Sequence, residues 1–361
     1  DLATNGPRTA GDDVYVSRFD PVQGEWSAPE PLVADGLSDA DPDIAVAPNG
    51  EHLVAWTVID APLGELGSPE EALPHTEIAA VTGDGTSWSA PTRLTDDDSP
   101  DFSPILATGT DEALVAWETD GDGNASTSND RGVRFVTVAA DGSRGPTETI
   151  DAAQAPAVST RPDGTFTLAY FAPEDPDTED RNGTVVLGRV DGGTFTTEAA
   201  YGTTEFRELS VAGDAIVWVD QPANASVLTY VSEPGAPPAP VETRRPTWDL
   251  RNVNLVTDGA VEVLTFSGNA PNDDAENEQV YLVNRGDGWI FDRTIAGSPE
   301  TPLSFWQAST AGGDEGFVTT FLTTVVDEST GLASTNDLWY VSHDFQPDLA
   351  AQRQGGDAET Q

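Results

Sequence analysis

The sequence predicts an all-β fold of repeated four-stranded units, and three observations carry the prediction. A hairpin phrase opens near residue 39: an acidic segment, a strand over 44–47, a Pro48-Asn49-Gly50 turn and a second strand over 53–58. β-Branched and aromatic residues supply its strands, while Asn49 and Gly50 tolerate the positive φ of a tight reversal. The phrase returns over 102–118, and again over 155–171 with Pro162-Asp163-Gly164 as its turn. A second kind of hairpin alternates with the first, and no helical periodicity of useful length occurs.

Taken in order, the second kind begins as Val14-Tyr15-Val16-Ser17-Arg18-Phe19, turns at Asp20-Pro21 and runs through Trp26-Ser27-Ala28-Pro29 to Leu32. Its nearest copy is Ile78-Ala79-Ala80-Val81, a Gly83-Asp84-Gly85 turn, then Trp88-Ser89-Ala90-Pro91 to Leu94. Looser copies start near Val133, Val185, Val227, Val280 and Leu338. First-type hairpins start near Ile44, Ile105, Val158, Leu209, Val253 and Trp306. Four short strands in about 50 residues is the period of a β-propeller blade. Stacked sheets would not enforce two alternating hairpin types. Seven blades are preferred, with the missing inner hairpin drawn from upstream or from residues 1–11; six would leave one hairpin over. One domain is predicted over residues 1–350, with 351–361 as a linker or frayed tail.

Composition sets the environment. The chain carries 63 acidic residues against 16 cationic ones, a formal charge of -47, and every cation is arginine. Self-repulsion at such a charge disfavours compactness, but at molar salt the Debye length falls to about 3 Å. Acid excess spread along the whole chain, without lysine, matches the proteins of salt-in halophiles and not a localised acidic tract for one basic partner. Nine tryptophans and 13 phenylalanines argue against disorder. With no cysteine there is no disulfide or thiolate chemistry, and nucleic acid is repelled. No apolar run approaches the roughly 18 residues of a membrane span. The expected setting is extracellular or cell-surface, the chain being a processed or excised ectodomain.

The alternation of Asp-Pro-x-Ile-Ala-Val and Val-Ala-Trp with Gly-Asp-Gly-x-x-Trp-Ser-Ala-Pro resembles the sialidase-type propellers that carry Asp-box repeats. Thr82-Gly83-Asp84-Gly85-Thr86-Ser87-Trp88 is similar to the box but one residue short; Asp191-Gly192-Gly193-Thr194-Phe195 and Gly286-Asp287-Gly288-Trp289 are fainter versions. In that family the box marks the turn between outer strands, not catalysis. The resemblance implies that loops entering the innermost strand line one face. Those loops are 38–43, 96–101, Asp151, 201–207, 244–251 and 300–306. Arg207, Arg244, Arg245 and Arg251 fall in them, and arginine grips carboxylates bidentately, with pairing to the protein's own surrounding carboxylates as the plainer alternative. A sialidase-like site further implies a Tyr nucleophile with its Glu and an Asp acid, and Tyr201, Glu205 and Asp249 could be cast in those roles. The family's Arg-Ile-Pro motif is absent; Arg161-Pro162 lies in a turn instead. Trp248 and Trp306 are candidate sugar platforms, with packing between blades as the plainer alternative.

Two further motifs carry chemistry. Asp120, Asp122, Asn124 and Ser126 place oxygens at alternate positions between glycines, which suits calcium, although Ala125 and Arg131 stand where an EF-hand loop has Gly and Glu. Three sequons, at Asn124, Asn182 and Asn224, fall in equivalent inter-strand loops and suggest a glycosylated face. The three histidines, His52, His75 and His343, show no zinc spacing. The leading expectation is a surface propeller acting as a binding or structural module toward protein or carbohydrate. The alternative is a sialidase-like glycoside hydrolase using the arginine-rich loops.

Overall fold

The computed structural model describes residues 13–344 except 21–24, 62–68, 122–129, 140, 177–180, 223–225, 243–249, 270–276, 287, 296–302, 314–315 and 328–331. It divides into two units, Asp1–Thr203 and Thr204–Gln361.

The first unit opens on an irregular hairpin of β1 (Tyr15–Val16), β2 (Phe19–Asp20), β3 (Glu25–Trp26) and β4 (Glu30–Pro31). Phe19 pairs with Trp26, and the Leu32 amide donates to the Val14 carbonyl at 2.7 Å, as the second-type phrase predicts. Three four-stranded antiparallel meanders follow. They comprise β5 (Ser38–Val46) to β8 (Thr92–Arg93) through β6 (His52–Ile59) and β7 (Thr76–Gly83); β9 (Asp101–Thr108), β10 (Glu112–Asp120), β11 (Arg131–Ala139) and β12 (Glu148–Asp151); and β13 (Gln154–Thr160), β14 (Phe166–Pro173), β15 (Gly183–Asp191) and β16 (Thr194–Thr203).

The second unit repeats the plan. Its sheets are β17 (Phe206–Ala212), β18 (Ala215–Asp220), β19 (Val227–Val231) and β20 (Ala239–Pro240); β21 (Leu250–Thr257), β22 (Glu262–Asn269), β23 (Asn277–Asn284) and β24 (Trp289–Ile295); and β25 (Leu303–Gly313), β26 (Gly316–Asp327) and β27 (Leu332–Asp344). Every first-type start lies in the first strand of a sheet, and every second-type start from Ile78 onward in the third. A seventh inner hairpin drawn from residues 1–11 would lie outside the described residues.

One boundary departs from expectation. The acidic stretch 38–43, read as an entering loop, belongs to β5, which holds its pairing across a bulge between Ala40 and Asp43. Asp41 there has φ 47°, and Ser103, Ala155 and Asn252 take the same left-handed conformation at the bulges of β9, β13 and β21. The bulge spans the proline, so that pairing resumes just after Pro42, Pro104 or Pro156 without asking proline for a ladder donor.

Turns are fixed by short acidic or amide side chains. Asp84 Oδ1 accepts the amides of Thr86 (2.8 Å) and Ser87 (2.7 Å), and Asp258 Oδ1 those of Ala260 and Val261 (2.8 and 2.7 Å). These are Asx turns, in which the carboxylate substitutes for a missing backbone acceptor. The Ser of each Trp-Ser-Ala-Pro phrase also has a duty: Ser27 and Ser89 Oγ accept from Arg18 N (3.0 Å) and Thr82 N (3.1 Å) on the facing strand.

The core lies between successive sheets. Trp56 packs with Val14 and Val33 of the hairpin, while Trp117 packs with Leu53, Ala55, Ile78 and Ala80 of the preceding sheet. Both indoles sit at the unpaired bulge position of their second strand, 1 % and 0 % exposed. Trp56 Nε1 donates to Asp39 Oδ1 at 2.7 Å inside the core. Asp101 is the equivalent residue of the next sheet; in the third, Tyr170 replaces the tryptophan and the buried Ala153 replaces the aspartate. Trp56 Nε1 thus has its acceptor in Asp39, whereas Trp117 Nε1, buried as deeply, makes no hydrogen bond.

First strands of neighbouring sheets are joined by side chains, since their edges cannot pair directly. Asp43 Oδ2 accepts Leu106 N (2.8 Å), and Ser210 Oγ accepts Leu255 N (3.0 Å) at the equivalent place in the second unit. The amides of the left-handed residues are taken the same way: Ser103 N by Thr57 Oγ1 (2.9 Å), Ala155 N by Glu118 Oε1 (2.7 Å) and Asn252 N by Glu208 Oε2 (3.2 Å). Strand edges left open would be pairing hazards, and these bonds close them.

Burial pushes Asp39 and Asp43 up to about 6, against the hydrogen bonds from Trp56 to the former and from Leu106 N and Ile44 N to the latter. The folded protein therefore binds more protons than the unfolded chain between about pH 4 and 6. Stability is expected to rise as pH falls from 7 to 4, by roughly 2–3 kcal/mol per group, and to be lost as pH rises through 6. Denaturant midpoints at pH 7 and pH 5 check this, with Asp43→Asn flattening the difference. A lower midpoint at pH 5 contradicts it.

Candidate functional site

Register places the candidate arginines. Ser210 of β17 pairs with Val217, and Asn254 of β21 pairs with Thr265, at corresponding positions of neighbouring sheets. Three residues upstream of each stand Arg207 and Arg251. Both therefore lie near the start of two consecutive first strands and are exposed, but Arg251 pairs with Ser267 whereas Arg207 is skipped at the bulge between Phe206 and Glu208. Between the two strands, Glu208 is committed to the amides of Asn252 and Val253 (3.2 and 3.0 Å). In the first unit the same position is held by Ala40, Phe102 and Gln154, so the charge pair belongs to the second unit's strands.

The other candidates scatter. Tyr201 is not in an entering loop: it lies in β16, the outermost strand of its sheet, paired with Val185. Glu205 is exposed with φ 53°, one residue before β17. Arg244, Arg245, Trp248 and Asp249 lie outside the described residues, as does the side chain of Trp306, whose backbone pairs with Leu322. Of the calcium set, Asp120 ends β10, 2 % exposed, its Oδ2 3.8 Å from Arg131 Nε; Asp122, Asn124 and Ser126 lie outside the described residues. Among the described residues no group of three or more His, Asp or Glu is placed to hold a metal ion. Asn182 is half-buried just before β15, its carbonyl accepting Glu174 N at 2.9 Å; Asn224 lies outside the described residues.

Several first-unit arginines serve the fold. Arg134 Nη1 bridges Asp97 (2.8 Å) and the fully buried Asp101 (3.3 Å). Burial pushes Asp101 up, and Thr119 and Arg134 offset the rise in part. Arg161, 4 % exposed, donates Nε to Thr167 Oγ1 (2.7 Å) and grips Glu198 through Nη1 and Nη2 (3.2 and 2.5 Å). Arg189 joins the same group through Asp163 (2.8 Å) and Glu198 (3.4 Å). Sequence reasoning missed these buried acceptors, although Asp-x-x-Pro recurs at Asp39 and Asp101 and vanishes where Tyr170 replaces the indole.

No family model matches the sequence, and no curated protein sequence does either. Solved structures do match in shape. The Trypanosoma rangeli sialidase in complex with the inhibitor DANA aligns with a TM-score of 0.55 at 10 % identity, over 96 % of this chain and 60 % of the sialidase. The polysaccharide lyase Uly1 aligns with a TM-score of 0.55 at 10 % identity, over 91 % of this chain and 84 % of the lyase. The chain thus spans well under two thirds of the sialidase's length. What it shares with these proteins is the fold: a sialidase-type β-propeller of four-stranded antiparallel sheets.

Proposed function

We propose that this chain is a binding module of the cell surface or exterior of a salt-adapted organism, with an anionic carbohydrate as its ligand. The observation that carries the reading is the presence of exposed Arg207 and Arg251 near the start of two consecutive first strands. Guanidinium groups suit carboxylates, which arginine holds bidentately and without losing its charge. The glycan-active neighbours support carbohydrate over protein as the ligand. Binding without turnover is favoured over the hydrolase alternative by Tyr201, which lies on β16, the outermost strand of its own sheet, and not in an entering loop. Calcium at Asp120 and glycosylation at Asn182 remain proposals of the same setting, tested by calcium titration and by mass spectrometry of the native glycoprotein.

Calorimetry with sialyllactose, oligogalacturonate and neutral lactose tests the function. The anionic sugars are expected to bind, lactose not, and Arg207→Ala with Arg251→Ala to weaken binding tenfold or more, with no sugar released. Equal binding of lactose, or binding indifferent to both substitutions, overturns the proposal; catalytic release of sialic acid replaces it with the hydrolase reading.

A further inference from the structure

Outermost strands of the sheets are mostly short: β8 and β20 have two residues each and β12 has four. Strand β16 runs for ten, Thr194–Thr203, and Thr194, Thr196, Thr197, Ala200 and Gly202 are exposed along it. Its edge away from β15 is open. Among the described residues no hydrogen bond beyond the ladder with β15 reaches the backbone of Thr196, Thr197, Ala199, Ala200 or Gly202. Soluble proteins guard such an edge with charges, proline or brevity. Here Glu198 is the only charged residue between 192 and 204, in a chain where 63 of 361 residues are acidic. It is bulged out of the ladder opposite Leu187 and Gly188 and paired with Arg161 and Arg189, so its charge is matched. The other residues of β16 are threonine, alanine, phenylalanine, tyrosine and glycine, all without charge. Strand β24, seven residues long, carries Asp292 and Arg293 instead.

A protein with a net charge of -47 repels its own copies wherever its surface is acidic, and an uncharged edge is where two copies can meet. We propose that β16 pairs antiparallel with β16 of a second copy, joining two four-stranded sheets into one. The twofold axis lies near Glu198, so that residues 194–197 of one copy run along 199–202 of the other and Thr196 faces Ala200. Identical strands are self-complementary in that arrangement, and the pairing uses up the open outer edge of each sheet, so growth stops at two copies. A different partner finds little to select on this strand: no free charge for an oppositely charged peptide, and threonine, alanine and glycine as the exposed side chains.

Sedimentation equilibrium of the full chain in molar salt, over a dilution series, tests this. A monomer–dimer equilibrium is expected, tightening as salt is raised, because screening removes the repulsion while no ion pair holds the contact. Thr196→Glu with Ala200→Glu is expected to weaken association at least tenfold, since like charges then face each other across the axis. Mixing that variant with one carrying Thr196→Arg and Ala200→Arg is expected to restore it, and Thr92→Glu on β8 to leave it as it was. A wild-type chain that stays monomeric, or a dimer indifferent to the paired glutamates, overturns the proposal. Should the glutamate pair fail to fold, hydrogen exchange of the wild-type chain decides. Amides of 194–202 that slow as protein concentration rises support the pairing, and rates independent of concentration overturn it.

Discussion

Replacing Trp56 or Trp117 by alanine is expected to cost roughly 3–5 kcal/mol, the range for emptying a large buried site. Each indole fills the seam between its own sheet and the structure before it, and each is essentially without solvent contact. The two losses should be similar, since the residues occupy equivalent places. Trp56→Ala should also strand Asp39, whose Oδ1 loses its buried donor. Against a total stability of about 5–15 kcal/mol, either variant removes a large share. Equilibrium urea unfolding at high salt measures it. A midpoint unchanged in either variant would mean that the seam contributes little.

Dilution of salt is expected to have the other large effect. With 63 acidic residues against 16 arginines, screening is what lets the charged surface stay closed. Among the described residues, Arg134, Arg161 and Arg189 each serve carboxylates within their own sheets or the adjoining strand. They cannot offset an excess of 47 negative charges. A thermal scan from molar to tens of millimolar salt should show the midpoint falling steeply. A midpoint independent of salt would refute the salt-adapted reading, and a rise in stability at pH 5 in low salt would fit it, because protonation relieves the same repulsion.

The sheets were legible because alternating β-branched residues and Pro-Asn-Gly or Asp-Gly turns encode strands and reversals locally. Hidden features depended on register. Nothing in Asp39-Ala40-Asp41-Pro42 announces that the backbone turns left-handed at Asp41 and stays in the ladder; a Pro set among aspartates looks like a loop. Tyr201 was misplaced for a related reason. Strand β16 is an exposed edge rich in threonine, so it lacks the apolar alternation that would have marked its extent. That Arg207 and Arg251 each stand three residues before the paired Ser210 and Asn254 emerges only from the register of β17 and β21.

Binding of an anion by Arg207 and Arg251 is the central claim. A crystal of the protein grown in high salt and soaked with oligogalacturonate measures this directly. Sugar density with a carboxylate within hydrogen-bond distance of both guanidinium groups is the predicted result. Sugar bound elsewhere, with both arginines turned into protein ion pairs, would contradict it.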